Sequence, residues 1–258
     1  GWLGKNFACY SLAKYSAGKY LLFLDADVRI GNSLIGRAVS FSDKYDLSLI
    51  SIFPKQIIKT FGERITVPNM NYILVSLLPL VFVRKLGFPS LSAANGQFMF
   101  FKAEMYKSMQ PHEIVRDDKV EDISIARIFK KNGFNVACLL GDDTITCRMY
   151  TGFCEAVRGF SKNVIAFFGN SFLLALSFWL ITTFGFLALF SGLPPWIFAV
   201  YLRLYLSARI LISFASRQNI FFNLLYILPL QLSMGLFIYT AFINKHFKKF
   251  QWKGRSIN

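Results

Sequence analysis

Two aspartates separated by one residue, Asp25 and Asp27, close the apolar run Leu21-Leu22-Phe23-Leu24. Their hard carboxylate oxygens suit Mg²⁺ or Mn²⁺, and such a cation can in turn hold a diphosphate. A solvated turn, with an aspartate capping the next helix, would use the same residues. A second acidic group follows in Arg116-Asp117-Asp118-Lys119-Val120-Glu121-Asp122, with apolar residues at Ile123, Ala126 and Ile128 behind it. That spacing predicts the first turns of an amphipathic helix, where Glu121 and Asp122 would at the least favour the helix dipole. Between the two groups, Asn95-Gly96-Gln97 runs into Phe98-Met99-Phe100-Phe101, a turn whose glycine lets backbone approach a ligand closely. A basic amphipathic stretch from Arg148 to Lys162 comes last.

Certain elements must position these residues. Four large apolar residues in a row read as a strand buried on both faces, which would bring Asp25 and Asp27 to the carboxyl edge of an α/β sheet, where ligands bind. The rest of the chain is divided by charge. The first 155 of the 258 residues carry 19 basic and 14 acidic side chains, the last 103 carry 10 basic and none acidic, so the net +15 is no single basic patch. No charge occurs from Val164 to Leu202, and Gly192-Leu193-Pro194-Pro195 breaks that run, predicting a helical hairpin with limbs at about 168–190 and 196–216. A third uncharged run, 218–244, contains Pro229. Basic residues at Lys245, Lys248, Lys249, Lys253 and Arg255, and at Arg158 and Lys162, would all be cytoplasmic under the positive-inside rule. Three full spans cannot satisfy both ends, so either the last segment is re-entrant or interfacial, broken at Pro229, or the rule fails here. Arg203 and Arg209 fall within the second limb and would face protein, lipid phosphates or, by snorkelling, the interface. Residues 73–83, with Pro79 inside and Arg84-Lys85 after, are too short to span and read as an interfacial helix or as core.

Other classes are excluded. Cys9, Cys138, Cys147 and Cys154 lack CxxC or zinc spacing and read as free thiols of a cytoplasm-facing domain. His112 and His246 form no metal cluster, and no phosphate loop or dinucleotide fingerprint is present. Most of the 44 aromatics lie in apolar runs, against a nucleic-acid partner.

The order of these motifs resembles the membrane-bound family 2 glycosyltransferases, whose catalytic domain has the GT-A fold. The elements carrying the resemblance are Gly1-Trp2-Leu3-Gly4-Lys5-Asn6, Asp25-Ala26-Asp27, Asn95-Gly96-Gln97, Glu121-Asp122, Arg148-Met149-Tyr150 with Gly159-Phe160-Ser161-Lys162-Asn163, and Trp252-Lys253-Gly254-Arg255. Within the family the likeness is to the branch that glycosylates lipids such as carotenoid acids, hopanoids or ceramide. It implies an α/β, Rossmann-like mixed sheet over residues 1–163, lacking its first nucleotide-binding strands, then a membrane domain at 164–244 and a basic cytoplasmic tail at 245–258. The implied protein is a multi-pass inner-membrane enzyme with its catalytic domain in the cytoplasm. It would transfer a sugar, with inversion, from a nucleotide-sugar donor to a lipid or lipid-linked acceptor. Asp25 and Asp27 would hold Mn²⁺ or Mg²⁺, and Lys5, Arg148 and Lys162 would join them around the donor. Asp122, with Glu121, would be catalytic as the general base, and Asn95, Gly96 and Gln97 would meet the acceptor. Polymer-making members carry a Gln-x-x-Arg-Trp motif, which Arg158-Gly159-Phe160-Ser161-Lys162 replaces here, against the alternative of a processive polysaccharide synthase. Retention of Asp25, Asp27 and Asp122 together weighs against a non-catalytic scaffold.

Overall fold

The computed structural model describes residues 1–190, 194–246, 251–252 and 255–256. Its elements run α1 (Gly4–Lys14), β1 (Tyr20–Leu24), β2 (Val28–Ile30), α2 (Leu34–Tyr45), β3 (Leu49–Phe53), β4 (Lys55–Gln56), α3 (Phe61–Arg64), α4 (Pro68–Leu77) and α5 (Val81–Lys85). Then come β5 (Phe98–Lys102), α6 (Ala103–Met109), α7 (Pro111–Ile114), α8 (Glu121–Lys131), β6 (Val136–Leu140) and β7 (Ile145–Cys147). The remainder is α9 (Phe153–Asn163), α10 (Phe172–Phe184), α11 (Pro195–Ala215), α12 (Ile220–Leu225), α13 (Ile227–His246), β8 (Gln251–Trp252) and β9 (Arg255–Ser256). The chain packs as two compact units, one of Gly1–Lys55 with Leu77–Cys147, the other of Gln56–Ser76 with Arg148–Asn258. Residues 56–76 and 148–163, read from sequence with the first domain, thus pack with the apolar helices.

The first unit is α/β around a mixed sheet in the order β1-β5-β3-β6, where β5 is antiparallel to β1 and β3 while β6 is parallel to β3. The strand that reads Phe98-Met99-Phe100-Phe101 is central, and all four residues are buried. Here the sequence expectation for β1 needs correcting. Only Leu21 of β1 is fully buried and Leu24 is exposed, because β1 is an edge strand with one neighbour, and its apolar run covers one side of the core only. Helix α8 begins at Glu121 as its acids predict, and Ile125, Ala126 and Phe129 face the core. It ends in a Schellman turn. Gly133 takes φ +79°, its N–H donates to the Lys130 carbonyl, and the Phe134 N–H donates to the Phe129 carbonyl, with the two phenyl rings in contact.

The second unit is helical. Helix α13 packs Met234, Phe237, Ile238 and Ala241 into a cluster with Ala156, Val157 and Phe160 of α9. Two helices, α11 and α13, are long and apolar enough to cross a membrane. The second limb of the expected hairpin is therefore present as α11. The first limb is present as α10, 13 residues continued by a 3-10 helix to Phe190, and with 153–168 before it forms a pair bent by 101°, the geometry of a broken span or a re-entrant loop. The bend follows from Gly169 and Asn170, both at positive φ, and from Ser171, whose hydroxyl accepts the Leu174 N–H to start α10 afresh. Pro229 does not break the third run either. It sits in the first turn of α13, where its missing N–H costs nothing, and the break falls at Tyr226 instead. Arg209 is buried, its guanidinium 3.6 Å from the Tyr72 ring centroid and donating to the Tyr205 hydroxyl, whereas Arg203 is exposed. Residues 73–83 are no single helix: Pro79 separates α4 from α5, and Ile73, Leu74 and Val83 are core. Gly192 and Leu193 of the hairpin turn lie outside the described residues, as do Lys248, Lys249, Lys253 and Gly254 of the basic tail.

Candidate functional site

The site is assembled in the first unit from four chain segments. Helix α1 is tied down at its start: the Leu3 N–H donates to the Arg116 carbonyl, and buried Asn6 donates to the carbonyls of Val115 and Asp118 at 2.7 and 3.1 Å. The motif Gly4-Lys5-Asn6 thereby anchors the loop before α8 and holds Lys5 against the acids. The Lys5 ammonium is 3.4 Å from Asp25 Oδ1 and 2.9 Å from Glu121 Oε1. Asp25 leaves β1 with its N–H on the Gln97 carbonyl, extending the β1–β5 ladder by one bond. Glu121 and Asp122 open α8. Asp122 accepts the Gly96 N–H through Oδ2 and the Ile123 N–H through Oδ1, each at 2.8 Å. Gly96 leaves room for the Lys5 ammonium: a Cβ there would lie 2.8 Å from that flexible end and 3.3 Å from Glu121 Oε1.

Electrostatics sharpen the picture. Burial raises the Asp122 carboxyl to about 6, Glu121 pushes it the same way, and the two N–H donors and Lys5 offset only part. Burial also raises Asp25, although Lys5 pulls it down. Lys5 itself is raised, because the surrounding carboxylates outweigh its own desolvation. The two partners of the Lys5–Asp25 pair move upward for different reasons: burial dominates at Asp25, with Asp27 and Glu121 adding to it, whereas Lys5 is raised by the several carboxylates around it. Three carboxylates, of Asp25, Glu121 and Asp122, act on one ammonium, and Asp27 lies exposed near Asp25, leaving the cluster negative.

The predicted residues separate into three groups. Lys5, Asp25, Gly96, Glu121 and Asp122 come together. Asn95 and Gln97 flank them but are used internally: the Gln97 N–H donates to Asn95 Oδ1, the Gln97 carboxamide accepts from Asn95 and donates to Cys147 Sγ, and the Asn95 main chain bonds Ser51 on both sides. Arg148 and Lys162 belong to the second unit. The Arg148 guanidinium there is paired with Glu63 at 2.7 Å, and Glu63 has no exposed surface. Sequence reasoning missed Glu63. Its signal was legible as Thr60-Phe61-Gly62-Glu63, the Ser/Thr-x-x-Glu pattern of a helix start, and Thr60 does cap α3 by accepting the Glu63 N–H. His112 is a core residue bonded to the Tyr106 hydroxyl at 2.7 Å, and burial holds it down at about 4.

The residues whose chemistry would suit a divalent cation are the two aspartates that follow β1. Asp25 and Asp27 offer hard oxygens in a negative environment, and Mg²⁺ or Mn²⁺ commonly takes one or two carboxylates with its other positions left to water and phosphate. No cluster of three or more candidate ligand side chains occurs among the described residues, so phosphate and water would have to complete the shell.

No family model matches the chain. Its sequence is similar to the 4,4'-diaponeurosporenoate glycosyltransferase of Staphylococcus haemolyticus (strain JCSC1435), 24% identical over 204 residues, which are 74% of this chain and 52% of that protein. The chain thus spans about half the length of the curated relative it matches. Crystal structures of S. aureus TarS 1-349, without and with UDP-GlcNAc, align with 98% and 99% of this chain and 75% of theirs, each at 13% identity. Their TM-scores of 0.34 and 0.33 are too low to support an argument. The sequence similarity is thus to a protein named as a glycosyltransferase.

Proposed function

We propose that this chain carries the catalytic carboxylates of an inverting glycosyltransferase that moves a sugar from a nucleotide-sugar donor to a lipid acceptor at the cytoplasmic face of a membrane. The observation that carries the reading is Asp122, a carboxylate at the start of α8, raised to about 6 and oriented by the Gly96 N–H beside the Lys5–Asp25–Glu121 cluster. A base of that strength is ionised at neutral pH yet holds a proton better than an ordinary aspartate. Asp122 takes the proton of an acceptor hydroxyl. The freed oxygen pair forms the new bond to the anomeric carbon from the face opposite the diphosphate, and the old carbon–oxygen bond breaks with its pair leaving on the diphosphate. Glu121, tied to Lys5, keeps the neighbouring charge fixed while Asp122 takes the proton. Asp25 and Asp27 would hold Mn²⁺ or Mg²⁺, which supplies neutralisation of the charge growing on the leaving diphosphate. The sequence similarity to a named glycosyltransferase and the two helices able to cross a membrane support this reading.

The test is transfer of labelled sugar into extractable lipid by membranes carrying the protein, from a panel of nucleotide sugars, with Mn²⁺ or EDTA. Transfer that needs the metal and drops by roughly 10²–10⁴ in Asp122→Asn is expected on hydroxyl acceptors. A carboxylate acceptor is already deprotonated at neutral pH, so on a fatty acid the same variant should lose far less than on the matching fatty alcohol. No transfer from any donor, or equal loss on both acceptors, would refute the general-base role.

A further inference from the structure

The first unit carries an apolar ridge that its own fold does not cover. Val81 and Phe82 of α5 are 46% and 43% exposed, and in the loop that follows Leu86 is 37% and Phe88 63% exposed. Val83, between them, is buried, so α5 has an inward and an outward side. Soluble surfaces rarely gather large apolar residues in this way without a partner. The ridge is also held in place. Lys130, buried on α8, donates from its ammonium to the carbonyls of Leu86, Phe88 and Leu91 at 3.0, 3.5 and 2.6 Å. An ammonium spent on three backbone carbonyls fixes the course of a loop whose side chains point away from the core.

We propose that residues 81–88 rest in the interfacial layer of an anionic lipid bilayer. The charges of this segment select that occupant. Lys85 is exposed within the ridge and Arg84 lies over the Tyr45 ring, while no acidic residue occurs between Glu63 and Glu104. Outward aromatic and aliphatic residues with cations beside them are the composition of interfacial segments. The same chain holds two helices able to cross a membrane, so a bilayer is within reach. The surface is not the 73–83 segment singled out by sequence, whose Ile73 and Leu74 are core; it begins at Val81 and culminates at Phe88. It also has a consequence for the site. Helix α8 bears Asp122 in its first turn and Lys130 in its last, about 12 Å apart along the axis, so one rigid helix sets the distance of the carboxylates from the loop that meets lipid.

This inference does not depend on the transferase reading, and its test measures lipid contact, not activity. Benzoylphenylalanine is placed singly at Phe82, Phe88, Leu204 and Ser40 in the full chain, reconstituted in vesicles of phosphatidylcholine and phosphatidylglycerol, and irradiated. Leu204 is an exposed residue of α11 and reports lipid; Ser40 is an exposed residue of α2 and reports water. Lipid adducts at 82 and 88 as at 204, with none at 40, support the proposal, as does a several-fold lower yield at 88 in phosphatidylcholine alone. Lipid adducts at 204 with none at 82 and 88, or protein–protein adducts at 82 and 88, would overturn it. A yield at 88 that ignores phosphatidylglycerol would overturn the anionic preference.

Discussion

Replacing Lys5 by Met removes the one ammonium that the carboxylates share, and the size of the effect can be worked from the geometry. A Cβ on Gly96 would sit 2.8 Å from Lys5 Nζ and 3.7 Å from Asp122 Oδ2, so the two charges are at most about 6.5 Å apart. At an effective dielectric of about 20 their attraction is about 2.5 kcal/mol, or nearly two pH units. The Lys5 side chain is 47% exposed, and screening by water cuts this to about one unit. The sign follows directly. Lys5 favours the ionised carboxylate, and the base works only when ionised, so activity rises as pH passes through about 6 in the native protein. Without the cation Asp122 holds its proton more tightly, and the acid limb moves to higher pH by about one unit. The assay is the pH dependence of kcat/KM for sugar transfer at saturating metal, with Lys5→Arg as the charge-retaining control. An acid limb that stays in place in Lys5→Met, or that moves equally in Lys5→Arg, would refute a Lys5 influence on the titration of Asp122.

Three further outcomes can be measured. Gly96→Ala should fold normally, because the atom its methyl meets is the flexible end of Lys5, yet it should displace that ammonium and move the acid limb in the same direction as Lys5→Met. Glu63→Gln breaks a pair whose carboxylate is fully buried while its Arg148 partner is about a third exposed, and should cost about 3 kcal/mol in detergent unfolding. Burial works against the Glu63 charge, but Arg148 and the Lys59 and Thr60 donors hold its carboxyl below the usual range; the stability it gives is present at neutral pH and fades as pH falls through the folded value, so the variant's deficit should shrink in acid. Gly235→Ala would set a methyl 2.6 Å from the Trp179 ring, which donates to the Gln231 carbonyl, and should destabilise by about 1–3 kcal/mol unless Trp179 is shortened as well.

Local chemistry was the part of this fold most legible in sequence. The acids of Glu121-Asp122 do begin a helix, and the apolar segment after Pro194 does give a helix of spanning length with Arg203 and Arg209 inside it, because capping, dipole and hydropathy act over neighbouring residues. Apolar runs proved ambiguous wherever sheet order mattered. Leu21-Leu22-Phe23-Leu24 and Phe98-Met99-Phe100-Phe101 look alike as sequence, yet one is an edge strand and the other central, a difference set by which strands pair and not by either segment. In the helical unit the misleading residue was Pro229, which opens α13, while Gly169 and Asn170 made the real bend through backbone angles that no hydropathy pattern records.

The candidate site shows the same boundary between local and long-range information. Type and spacing identified Asp25, Gly96, Glu121 and Asp122 one by one; what they could not give was Lys5 as the common partner, since that needs α1 brought onto α8, which Leu3 and Asn6 accomplish through three bonds to backbone at 115–118. Arg148 shows the converse. Its type suits a diphosphate, but the structure gives it a buried carboxylate, and a guanidinium already bonded to Glu63 would have to trade that pair for a phosphate. Such an exchange leaves Glu63 buried without its cation, a loss of several kcal/mol. Lys5 is held less deeply, its side chain being 47% exposed and its partners Asp25 and Glu121 39% and 11%, so its flexible ammonium can turn at a smaller cost than the Arg148 guanidinium, whose partner has no exposed surface. Of the cations named from sequence, Lys5 is the one that the first unit itself sets among Asp25, Glu121 and Asp122.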